Sequence, residues 1–253
     1  MLDLRLISAE VLKLRRRRGM LAISLLLTAG LMAVAFVVMV IQHGGNPATY
    51  GPAGGLSNYH DDIAVVTLMA LIVGTIIGAT SGTQDIESGV FRDLAATGRS
   101  RMALFASRVA GAWAVVLPIL AVTAGLAAAG CIALAGSLAA PGVGAVVAGT
   151  AAVLVAGGLS AAVAVGVSAL VSSRGPVIGI MLAFYLAVQN LLLAMSFLGG
   201  ARQIVPDVAI KRIGQLEPVS DVHVGLGAAI LVVIAWSALT LGLGAWRTRT
   251  REI

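Results

Sequence analysis

The residues able to do chemistry are few and scattered. His43, His60 and His223 are the only histidines, and Cys131 is the only cysteine. With Asp61 and Asp62 the histidines could in principle meet at a metal ion. No two of them share a helix turn or a ligand spacing, so they read as solvated groups near the ends of apolar segments. Cys131 sits in an apolar run and reads as a small core residue; one cysteine allows no internal disulfide and no cysteine zinc cluster. Nucleophile elbows of the Gly-x-Ser-x-Gly type are absent, as are His-Glu-x-x-His and the Gly-x4-Gly-Lys-Ser/Thr phosphate loop. Any work driven by ATP therefore needs an engine on another polypeptide. An intramembrane enzyme, which would have to work through His60 or Asp62, is the weakest reading, because no reactive group falls within the apolar segments.

One internal segment concentrates the charge. Residues 82–105 carry Asp85, Glu87 and Asp93 interleaved with Arg92, Arg99 and Arg101, while Val90, Phe91 and Leu94 supply an apolar contact. Such a segment can form a short amphipathic helix, with a break at Thr97-Gly98. Fixed between two membrane spans, it would serve as a lever for a soluble partner, with Phe91 as anchor and Asp85, Glu87, Gly89, Arg92, Asp93 and Leu94 around it.

The elements that hold this segment follow from composition. Hydrophobic residues make up 59% of the 253 and charged residues 11%, where a soluble domain carries about 25% charge. Mean hydropathy is +1.01. The fold class is all-α integral membrane, since about 20 apolar residues cross a bilayer as a helix. Six spans are expected: 19–41, 62–81, 106–135, 144–171, 177–198 and 224–246. The first is too long for the apolar core of a cleaved signal peptide and is read as retained. Pro141-Gly142 marks the turn within the long apolar stretch, and Pro118 is expected to bend the third span. Residues 42–61 and 199–223 read as polar connections, the second still partly apolar through Ile204, Val208, Ile210 and Ile213. Gly74, Gly78 and Gly82 form a four-residue stripe suited to close helix packing.

Residues 2–18 place Leu4, Ile7, Val11 and Leu14 at helical spacing, with Asp3, Arg5, Glu10 and Lys13 on other faces. This pattern predicts an interfacial helix ending in Arg15 to Arg18. Fourteen of the 17 Lys and Arg residues fall on the side of the termini; Arg202, Lys211 and Arg212 fall on the other. The positive-inside rule then puts both termini and the 82–105 segment in the cytoplasm. The net charge of +6 follows the span ends, which points to membrane headgroups and away from nucleic acid. No ionisable residue is expected well inside a span, with Arg108 near the start of the third, which argues against an ion-coupled carrier. Gln189 and Asn190 are the strongly polar pair within a span; they would line a pathway or bond between helices, the second being the plainer reading.

The sequence resembles the membrane subunit of ABC-2-type ABC transporters, the type V exporter-like permeases. The likeness rests on Glu87, Gly89, Leu94, Thr97, Ser100, Arg101, Leu104 and Arg108 between spans 2 and 3, within the six-span, N-in/C-in plan. The resemblance implies a connector helix at 2–18, a coupling helix at 85–97 seated in a separate ATPase subunit, and an outer re-entrant segment at 199–223. It also implies two permease subunits, identical or paralogous, working with two ATPases that carry the ATP and magnesium, in a bacterial inner membrane. This chain itself would hold no cofactor. Cargo in the family spans drugs, peptide antibiotics, lipids and polysaccharides. A membrane subunit with a structural or regulatory role, assembling with partners but moving nothing, is the alternative.

Overall fold

The computed structural model describes residues 4–89, 100–216 and 222–250. Among these the chain is helical, with no strand, and six helices are long and apolar enough to cross a membrane. In order they are α1 (Leu4–Arg16), α2 (Arg18–Gly45), α3 (Leu56–Glu87), α4 (Arg101–Ala133), α5 (Val143–Val171), α6 (Arg174–Ala194), α7 (Pro206–Gly214) and α8 (Leu226–Thr250). All but α1 and α7 are the spans.

The second span overruns its expected boundary at its far end, where Asp85 finds partners inside the bundle. The second span begins at Leu56 and continues to Glu87, so Asp85 and Glu87 belong to the span helix and not to a separate coupling helix. The fourth span, at Val143–Val171, begins one residue after Gly142, whose extended backbone starts it. The helix α4 runs through Pro118 without a break. Within the partly apolar connection expected at 199–223, the described residues form a 3-10 stretch and α7, with Pro206 in its first turn and Val208, Ala209 and Ile210 buried. It packs back onto α5 and α8 because its apolar residues recur on one helical face.

The centre of the bundle is the pair α3 and α5, with α4 laid against both and α8 against α5. Small residues make this possible, since helices in lipid gain most from close backbone contact. A Cβ placed on Gly74 would lie 2.5 Å from the Gly157 carbonyl oxygen, and one on Gly82 would lie 2.5 Å from Ser168 Cβ. One on Gly78 would collide with the Ala161 backbone. The glycine stripe of α3 is therefore the surface that receives α5. A buried hydroxyl pair crosses the same seam: Thr75 Oγ1 and Ser160 Oγ stand 2.8 Å apart, and Ser160 also donates to the Leu71 carbonyl at 2.6 Å. By contrast α2, α6 and α8 bury little of their surface within the chain.

Candidate functional site

Four chain segments meet at the end of α3, directly before the charged segment. Asp85 is the hub. Its side chain accepts from Lys13 Nζ at 2.9 and 3.0 Å and from Arg108 Nη2 at 3.3 Å. Lys13 also donates to Glu10 at 2.6 Å, which adds a second carboxylate to the cluster. Among the described residues two cations and two anions thus form one group joining α1, α3 and α4. Asp85 is 4% exposed, Glu10 6% and Arg108 3%. Arg108 is tied further to α3: its Nη1 donates to the Gly82 carbonyl at 3.4 Å, and its own carbonyl accepts from Ser81 Oγ at 2.9 Å.

The close approach of α1 follows from Gly111 on α4, where an added Cβ would lie 2.6 Å from Glu10 Cβ. Leu14 is buried on the same face, whereas Leu4 and Leu12 remain exposed. The burial of Glu10 adds to the sequence expectation, which placed it only on a face other than the apolar stripe. The physical reason is that Lys13 and Arg108 compensate its charge and Gly111 leaves room for its stem. Burial raises the Glu10 pKa above its ordinary value; the Lys13 hydrogen bond and charge pull it back. The expectation that no ionisable group lies inside a span is corrected. Arg108 is buried two turns into α4, and Asp62 on α3 is buried with an oxygen 3.2 Å from Cys131 Sγ.

Glu87 makes the fourth link. Its Oε1 accepts from the backbone N–H of Arg174 at 2.6 Å, at the start of α6, where free helix N–H groups favour an anion. Gly89 follows with φ +75, a left-handed conformation that suits glycine after a helix end. On the far side of the segment, Ser100 caps α4 by accepting from the Ala103 N–H at 3.1 Å, and Arg101 reaches the Arg249 carbonyl of α8 at 3.4 Å. Phe91, Arg92, Asp93 and Leu94, together with Thr97, lie outside the described residues. So Asp85 and Glu87, both expected to face a partner, are held by partners within the chain. Glu10, Lys13 and Arg108 complete the group that sequence reasoning missed. The Glu10 to Lys13 spacing on one helix was the visible signal, and the long-range contact to Asp85 had none.

The remaining candidates are dispersed. Gln189 is buried and its Oε1 has no hydrogen-bond partner among the described residues, whereas Asn190 is exposed and bonds back to the Leu186 carbonyl at 3.0 Å. Among the described residues no group of three histidine, cysteine or carboxylate side chains could hold a metal ion. His43 is within 2.7 Å of the Tyr50 carbonyl, and the His223 carbonyl accepts from Gln203 Nε2 at 3.1 Å. A cavity of about 570 Å³ lies beside α7, at the opposite end from Asp85, lined by Leu193, Val208, Lys211, Arg212 and Val224 among others.

Among the described residues the chain is a bundle of six spans whose second and third are joined at the root of a charged connection. The sequence matches the family described as ABC-2 family transporter protein over residues 6–190, and the chain belongs to that family. It is a multi-pass permease component of an ABC transporter, and an ABC ATPase subunit is its implied partner. No curated protein matches the sequence.

Proposed function

We propose that this chain is the membrane-spanning subunit of an ATP-driven exporter, worked from the cytoplasm through the segment between α3 and α4. A separate ATPase subunit, carrying the ATP and magnesium, grips that segment at Phe91, Arg92, Asp93 and Leu94. A second permease subunit, identical or paralogous, completes the pathway. The observation that carries this reading is the Asp85 cluster. A push on a connection whose roots are bonded to α1, α4 and α6 is shared among those helices and not dissipated in a loose loop. The basic residues gathered at that end support a cytoplasmic placement of it in a bacterial inner membrane. Spans with so few charges suit an apolar or amphiphilic cargo over a polyanion.

The test is Phe91→Asp in the complex with its ATPase. Substrate-stimulated ATP hydrolysis is expected to be lost while the two subunits keep their basal rate. Unimpaired stimulation in that variant would refute the lever. A cysteine placed at Phe91 should be inaccessible to an impermeant thiol reagent in intact cells; labelling there would reverse the assigned orientation.

A further inference from the structure

The corner between α1 and α2 holds an apolar groove with a cationic mouth. The chain breaks at Arg17, whose backbone lies outside the helical region, so α1 turns away from α2 there. Inside the corner, Val11, Leu21, Leu25, Ala114 and Ile119 line a cleft of about 330 Å³ against α4, and Arg15 is the charged residue lining it. Among the described residues no acidic side chain lines the cleft. Among the described residues none of Arg15, Arg16, Arg17 and Arg18 is paired with a carboxylate. Two of the walls are membrane spans, so a lipid can reach the cleft from the bilayer.

We propose that this groove binds an anionic phospholipid from the leaflet at this end of the bundle. One acyl chain lies along Leu21, Leu25, Ala114 and Ile119, and the phosphate is met by Arg15 with its neighbouring arginines. The chemistry is complementary on both counts: an uninterrupted apolar wall for the chain, and a run of uncompensated cations for the headgroup. A soluble peptide would leave the bilayer-facing wall uncovered, and a zwitterionic lipid would leave the arginines without net charge to match. The bound lipid would brace α1 in the corner, on the same helix that carries Glu10 and Lys13 into the Asp85 cluster. The proposal does not depend on the transport reading.

Native mass spectrometry of the protein released from nanodiscs containing equal phosphatidylglycerol and phosphatidylcholine tests this. The wild type is expected to retain phosphatidylglycerol preferentially. Arg15→Gln, at an exposed side chain that folding does not need, should lower that preference by about fivefold, the effect of one basic residue at a membrane surface. Ala114→Phe fills the cleft from an exposed position without touching any charge and should reduce retention of the lipid. Arg249→Gln, a cation at the other end of the chain, should leave the preference intact. Equal retention of the two lipids by the wild type overturns the proposal. So does an undiminished preference in Arg15→Gln, or displacement of the lipid by excess inorganic phosphate, which would make the arginines a simple anion site.

Discussion

Replacing Asp85 by alanine removes the acceptor shared by Lys13 and Arg108, and the two cations respond differently. The Lys13 side chain is 30% exposed, keeps Glu10, and can turn toward water, so its share of the loss is about 0–1 kcal/mol. Arg108 is 3% exposed, on a helix wall between α3 and α4, and cannot follow. Removing one partner from a buried ion pair costs about 3–5 kcal/mol, because the charge left behind has lost its nearest hydrogen-bonded counter-charge. In a chain of this size about 1 kcal/mol moves the melting temperature by about 2–4 °C, so the variant should melt on the order of 10 °C lower. Unfolding can be followed in nanodiscs by the fluorescence of Trp113, Trp236 and Trp246. The decisive sample is the double variant Asp85→Ala/Arg108→Met. With no buried guanidinium facing the missing carboxylate it should recover much of the loss and be more stable than Asp85→Ala alone. If the double variant is as unstable as the two single losses added together, or if Asp85→Ala melts within about 2 °C of the wild type, the cluster is not the joint described here.

Three further outcomes are expected. Gly78→Ala should destabilise the protein by about 1–3 kcal/mol, since its Cβ would fall 2.8 Å from Ala161 Cα, while Gly179→Ala, in open space, should be neutral or slightly stabilising; thermal melts of the pair compare them directly. Glu10 holds its proton more tightly folded than unfolded. Wild-type stability should therefore fall relative to Glu10→Gln as pH rises from about 4.5 through the raised folded value, and a wild type that gains on the variant over that window contradicts the burial argument. Gln189→Leu removes a buried carbonyl oxygen with no partner among the described residues, so the melting temperature should hold or rise; a fall of several degrees would show that Oε1 is bonded, and unchanged stability with lost transport would give Gln189 a place in the pathway.

Much of this molecule was legible in its sequence, for local reasons. Span number follows from apolar run length, and the glycine stripe at Gly74, Gly78 and Gly82 follows from a four-residue period on one helix. The family likeness was carried by residues clustered near one loop. What the sequence left undecided is which polar groups near the spans are buried. Asp85 reads identically whether it faces a partner protein or Lys13, because hydropathy and period describe one helix at a time. Lys13 and Asp85 stand 72 positions apart and Arg108 another 23 beyond, and only the packing of α1 and α4 on α3 brings their charges within bonding distance. The same packing turned Glu10 inward against Gly111 and Glu87 onto the start of α6. A charge in an apolar chain is too costly to bury alone, so its position is fixed by its compensating partners, and those partners are defined only once the helices are assembled.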